Sequence, residues 1–218
     1  MCYSFKTSII SFSLAMLAVI YGYYTNQPIL ATLILFYSQI QLSEALIWKG
    51  IDDNNVSLNK IGTSYGKYTL PTHNIAIGLG ILIYIFFYQK RKLNHRDFIP
   101  LIIAIIFYIY VLFFWYDKDS SDTTYPRDKN CKKDCQNNDN RLVWTYPQDW
   151  YLLGMPISII LIILYIKPLK SAIFINSVFL ITFFLSFFIS KNGSGSVWCF
   201  SAAILAPLLV LINSYLFQ

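Results

Sequence analysis

The chain has 218 residues, of which 56% are hydrophobic and 13% charged, against a charged share of about 25% in ordinary soluble domains. That composition excludes a water-soluble globule and places the chain in a lipid bilayer. The net charge of +6 requires no nucleic acid, because basic collars beside membrane spans account for much of it.

A helix needs about 20 apolar residues to cross a hydrocarbon core about 30 Å thick, and such runs recur along the whole sequence. The pattern predicts an all-α transmembrane bundle of seven spans at 7–24, 28–48, 68–88, 98–116, 150–166, 171–190 and 196–217. The first is read as a retained span, since the YGYYTNQ that follows offers no small-residue cleavage pattern. Residues 1–218 then form a single membrane domain. Segment 117–149, rich in Asp, Asn and Lys, is predicted to be a polar outer loop between spans four and five, with too few apolar side chains for a core of its own.

Short basic loops set the orientation. Lys90, Arg91, Lys92 and Arg96 follow the third span and Lys167 and Lys170 the fifth, with only Asp97 opposing them on that side. That side and the C-terminus are predicted to be cytoplasmic, and the N-terminus outside. All four cysteines, Cys2, Cys131, Cys135 and Cys199, then fall on the outer side or at its membrane boundary, where an oxidising compartment favours disulfides. Cys131 with Cys135 and Cys2 with Cys199 are candidate pairs, and other connectivities stay open. Asn55 in Asn55-Val56-Ser57 is a glycosylation candidate, whereas Asn192-Gly193-Ser194 hugs the membrane. Trp48, Trp115, Trp144, Trp150 and Trp198 also map outward, as an interfacial belt or as the rim of a cavity.

Several activities lack their residues. No lysine stands between Trp198 and Phe217 to hold retinal, and neither FFYQKRK nor LINSYLF carries the signature of G-protein-coupled receptors. The two histidines, His73 and His95, are predicted at opposite faces, too few and too far apart for a zinc hydrolase. No glycine-framed serine suggests a protease. Cys131-Lys132-Lys133-Asp134-Cys135 would lower its thiol pKa values, but the spacing is not that of a redox pair, and a structural bridge explains it as well.

The second span breaks its own apolar pattern with SQIQLSEALIW. A carboxylate persists in hydrocarbon only where protein or a wet cavity receives it, so Glu44 is the leading functional candidate. At 100° per residue Tyr37, Gln41, Glu44 and Trp48 share one face, while Gln39 and Ser43 lie opposite and are read as packing polarity. A helix polar around its circumference has to be enclosed by others, which predicts a central position. Counted from Trp48 and from Tyr68, Glu44 and His73 lie about 6 and 7.5 Å below the outer boundary, and are expected to be level. Asn74, Trp198 and Ser201 are expected at similar depth.

The opening MCYS, QLSEAL at 41–46, His73-Asn74, YPQDW at 146–150 and VWCFSA at 197–202 together resemble a family of uncharacterised small multi-pass membrane proteins found in bacteria and large DNA viruses. The resemblance implies that Cys2, Glu44, His73, Trp198 and Cys199 belong to one shared site or scaffold. It implies no reaction, ligand or cofactor.

These readings predict a pocket in the outer half of the bundle, formed by Gln41, Glu44, His73, Asn74, Trp198 and Ser201, that binds a small molecule or ion. A proton- or cation-coupled transporter using Glu44 ranks second, because the cytoplasmic half reads as nearly all Ile, Leu and Phe. A thiol oxidoreductase ranks third. The expected partners are the bilayer of a plasma membrane, endomembrane or virion and that ligand; no motif specifies a cofactor, a catalytic residue, a metal site or an oligomeric state. On a cysteine-free background, an impermeant thiol reagent on intact cells should label Ser57→Cys and spare Asn94→Cys. The reverse pattern contradicts the orientation.

Overall fold

The computed structural model describes residues 4–116, 122–126, 142–144, 151–189 and 194–217. Cys2, Cys131, Cys135, Trp150, Asn192 and the side chain of Cys199 lie outside the described residues. The architecture is helical: α1 Phe5–Tyr24, α2 Pro28–Asp52, α3 Val56–Thr69, α4 His73–Ile83, α5 Ile99–Phe114, α6 Tyr151–Tyr165, α7 Leu169–Ile189 and α8 Ser194–Phe217. A two-residue antiparallel pair, Tyr125–Pro126 with Leu142–Val143, is the strand structure among the described residues. Among the described residues six helical runs are long and apolar enough to cross a membrane, which makes this an integral membrane protein. α6 is the exception in length, its 15 residues spanning about 22 Å.

Local chemistry sets the turns. Asn26 and Asn54 adopt left-handed backbone, φ 55° and 54°, a conformation asparagine tolerates better than most residues. The next amide in each case reaches five residues back, Gln27 N–H to Gly22 O at 2.8 Å and Asn55 N–H to Gly50 O at 2.7 Å. This closes α1 and α2 and reverses the chain. Pro28 then opens α2, where a missing N–H costs nothing. Asn55 caps α3 by accepting the Leu58 amide at 3.0 Å, and it is exposed.

The expected outer connection 49–67 is largely helix. α3 continues through a 3-10 turn at Leu70–Thr72, α4 and a π-turn at Tyr84–Tyr88, so that Val56–Tyr88 is a single run of 33 residues. A hydropathy scan overlooks α3 because its buried stripe, Asn59, Gly62, Thr63 and Gly66, is small and polar rather than aliphatic. Those residues recur at helical spacing, and they let two backbones approach closely. A Cβ on Gly62 would come within 2.8 Å of Ile47 N, and one on Gly50 within 2.6 Å of Asn59 N. Further along, a Cβ on Gly80 would fall 2.7 Å from Ile29 Cα, and one on Gly78 would fall 2.7 Å from Leu101 Cα of α5.

α2 is the centre of the bundle, packed by α1, α3, α4 and α8. One end of the molecule gathers residues 25–27, 89–94 and 166–168; because Asn26, Tyr88, Lys167 and Asn213 line one space there, this is called the basic face. Arg91 grips Asp97 in two hydrogen bonds of 2.8 and 3.0 Å, while Asp97 also accepts the Asn94 amide at 2.8 Å and closes a capping box. At the opposite end, residues 122–126 dock on α3. Asn59 donates to Thr124 O at 2.8 Å and accepts the Thr124 amide at 2.9 Å. Leu142 and Trp144 are buried there with Ile40, Ile47, Trp48 and Val111, so part of the expected polar loop is packed against the bundle.

Gly80→Ala should lower stability by about 1 to 3 kcal/mol in detergent unfolding, although alanine favours an isolated helix by about 1 kcal/mol. A stabilised variant would show that α4 does not approach α2 as closely as described.

Candidate functional site

His73 and Asn74 begin α4 immediately after the Pro71 turn. Proline removes one donor from the helical ladder and the chain tightens there. The His73 ring stacks on Tyr37 of α2, centroids 3.7 Å apart and planes 15° from parallel. Trp198 of α8 meets the same Tyr37 edge-on at 5.4 Å, and its indole N–H donates to Thr182 Oγ1 at 3.2 Å. Asn74 accepts a hydrogen bond from Ser158 of α6. Gly154 allows α6 to approach, since a Cβ there would stand 3.1 Å from Asn74 Nδ2.

These side chains surround a cavity of about 40 Å³ whose lining includes Tyr37, His73, Asn74, Ser158, Asn176 and Trp198. At about 10 to 15 Å³ per water position it has room for a few waters, far below the 300 Å³ or more of a site for drug-sized ligands. Beside it the third helical run tightens into a 3-10 turn at Pro71, while α6 carries Pro156 within an unbroken helix. Breaks such as the Pro71 turn occur at the solute sites of many transporters, near the middle of the bilayer.

The structure brings together His73, Asn74 and Trp198 but not the whole predicted set. Gln41 and Glu44 are fully buried on the same stripe of α2 as Tyr37, and do not line the cavity. Ser201 is half-buried on α8 and does not line it either. The expectation that Glu44 and His73 are level is corrected: His73 sits beside Tyr37, seven residues before Glu44, about 10 Å away along α2. The cause is α3. Its turns run down beside α2, with Ser43 donating to Gly62 O at 2.7 Å and Tyr65 to Gln39 Oε1 at 2.7 Å, so the third span is already deep when His73 is reached. The cavity consequently lies roughly 13 Å from the start of α2 at Pro28, nearer the middle of the bundle than the half predicted to be outer. Gln39 and Ser43 are packing groups, as read.

The sequence reading also missed Ser158, Asn176 and Thr182. Each is a polar residue within an apolar run, Asn176 with Ser177 beside it, the same kind of signal that singles out Glu44. The half predicted to be cytoplasmic, read as nearly all aliphatic, is not so. At the basic face a second space of about 490 Å³ is lined by Gln27, Tyr84, Tyr88, Tyr165, Lys167 and Asn213 among others. Asn213 donates to Gln27 Oε1 and Ser171 to Asn213 Oδ1, both at 2.6 Å, and Gln27 donates to Val210 O at 3.1 Å.

The two spaces nearly meet. α2 contributes Leu30 to the larger and Leu33 to the smaller, α6 contributes Ile162 to the smaller while Ile166, just past the end of α6, lines the larger, and α7 contributes Ile175 to the larger and Asn176 to the smaller. At most about one helical turn of chain, roughly 6 Å, separates the two linings. Among the described residues no group of three or more His, Cys, Asp or Glu side chains is arranged to hold a metal. No family model, curated protein or solved structure matches the chain.

Proposed function

We propose that this protein binds an ion or a polar solute of a few heavy atoms in the cavity between α2, α4, α6, α7 and α8. The observation that supports this reading is the convergence of Tyr37, His73, Asn74, Ser158 and Asn176 on one small enclosed space. Polar groups are expensive in a membrane interior and mark solute pathways when they face a cavity. In this proposal the chain crosses the membrane seven times, α6 included, with the N-terminus outside and the basic face in the cytoplasm, and it belongs with the small multi-pass proteins its motifs resemble. At least one disulfide joins two of its four cysteines, and Asn55 is its candidate glycosylation site.

A second reading, passage of that species across the membrane, is favoured by the opposed cavities and the thin aliphatic layer of Leu30, Leu33, Ile162, Ile166 and Ile175 between them. Glu44, fully buried above the cavity, is then the group whose protonation couples to passage. Flux of the bound species into liposomes separates this reading from the first.

The test is a thermal-stability titration of the protein in nanodiscs with sodium, potassium, ammonium and zinc chlorides and with urea and glycerol. His73→Phe keeps a ring to stack on Tyr37 and removes both nitrogens. At least one probe should stabilise the wild type saturably, by about 2.7 kcal/mol at a hundredfold excess over Kd, and stabilise His73→Phe much less. No shift with any probe, or equal shifts in both proteins, contradicts the assignment.

A further inference from the structure

The space at the basic face has a chemistry of its own. Its inner wall is self-satisfied: Gln27, Ser171 and Asn213 are buried and hydrogen-bonded to one another, and the Tyr88 hydroxyl donates to Tyr23 O at 2.7 Å. Its outer wall is not. The side chains of Tyr84, Tyr165 and Lys167 line the space, and among the described residues their polar atoms make no hydrogen bond. Two phenol hydroxyls and one ammonium thus offer donors into a volume of about 490 Å³, within the range of about 300 to 1,000 Å³ typical of small-molecule sites.

The surrounding charge has one sign. Lys90, Lys92, Lys167 and Lys170 stand on the connections and first helical turn at this face, and Asp97, the acidic residue there, is occupied by Arg91 at 2.8 Å. Clustered charge of one sign raises the local concentration of counter-ions in a concave site. Donors with an ammonium select acceptor oxygens bearing negative charge. A free cation would meet repulsion, and a neutral apolar ligand would leave the hydroxyls and the ammonium without partners.

We propose that this vestibule binds a phosphate group, with Lys167 as its ion partner and Tyr84 and Tyr165 as hydrogen-bond donors. The phosphate belongs either to a soluble phosphate ester or to the headgroup of an anionic phospholipid, since basic pockets between helices at a membrane face hold such headgroups. The assignment does not depend on what the smaller cavity holds or on whether anything passes between the two.

The full chain is placed in phosphatidylcholine nanodiscs and titrated calorimetrically with glycerol 3-phosphate, using matched chloride as the ionic-strength control. Retention of phosphatidylglycerol by the same protein is measured by native mass spectrometry. Saturable binding of the ester assigns the soluble source, and selective retention of the lipid assigns the headgroup. Either supports the site if Lys167→Gln weakens it about tenfold, Tyr84→Phe and Tyr165→Phe weaken it by smaller factors, and Lys60→Gln at the opposite end leaves it unchanged. Failure of both probes to bind, or equal weakening by Lys60→Gln and Lys167→Gln, overturns the proposal. His73→Phe should bind the phosphate probe like wild type, which separates a failure here from one at the smaller cavity.

Discussion

The close approach of α2 to the long third helix is the constraint on which the rest of this structure depends. In lipid, helices gain little by burying apolar surface against one another, so they associate through tight packing and a few polar contacts. Glycines at both ends of the interface supply the first. Gly50 and Gly62 lie within contact of opposing backbone near one end and Gly80 near the other, and between them Ser43 and Gln39 make hydrogen bonds across the seam. These contacts fix the register, and the register decides which side chains meet. It carries His73 past Glu44 to Tyr37, and the cavity forms at that level because Trp198 and α6 close around the stacked pair.

Polar residues in the bundle divide into two groups by where they lie. Thr32 accepts from the Tyr23 hydroxyl and donates to Pro28 O, Ser38 donates to Leu35 O, and Gln27, Asn213 and Ser171 tie the first turn to α7 and α8. Those are fasteners, whose loss would leave buried groups without partners. The second group faces open space: Tyr37, His73, Asn74 and Asn176 at the smaller cavity, and Tyr84, Tyr165 and Lys167 at the larger. Fasteners hold the helices at a spacing that leaves both spaces unfilled, with one turn of aliphatic side chains between them.

Much of the fold was legible in the sequence because lipid imposes a simple rule: a segment that crosses must be helical and apolar. The runs that became α1, α2, α5, α7 and α8 obey it within a few residues. The central position of α2 was legible too, from polarity on both of its faces. α3 was not, because Gly62, Thr63 and Gly66 promote packing by being small, a property hydropathy does not measure. Missing α3 shifted the expected level of His73 by two helical turns, and the pocket was drawn too far from the basic face, with Glu44 and Gln41 inside it. The vestibule was hidden for another reason. Gln27, Ser171, Asn213, Tyr84 and Lys167 are scattered across five segments, each unremarkable where it stands, and only the end-to-end alternation of the helices gathers them.

The register of α2 against the third helix is therefore the claim to test. On a cysteine-free background the pairs Tyr37→Cys with His73→Cys and Glu44→Cys with His73→Cys are oxidised in the membrane and assayed for a cross-link between the two positions after cleavage of an engineered site in the 89–94 connection and in the 53–55 turn. The first pair should cross-link readily, and the second should stay reduced. Cross-linking of 44 with 73 in place of 37 with 73 would restore the level arrangement of Glu44 and His73, and would contradict the position of the cavity.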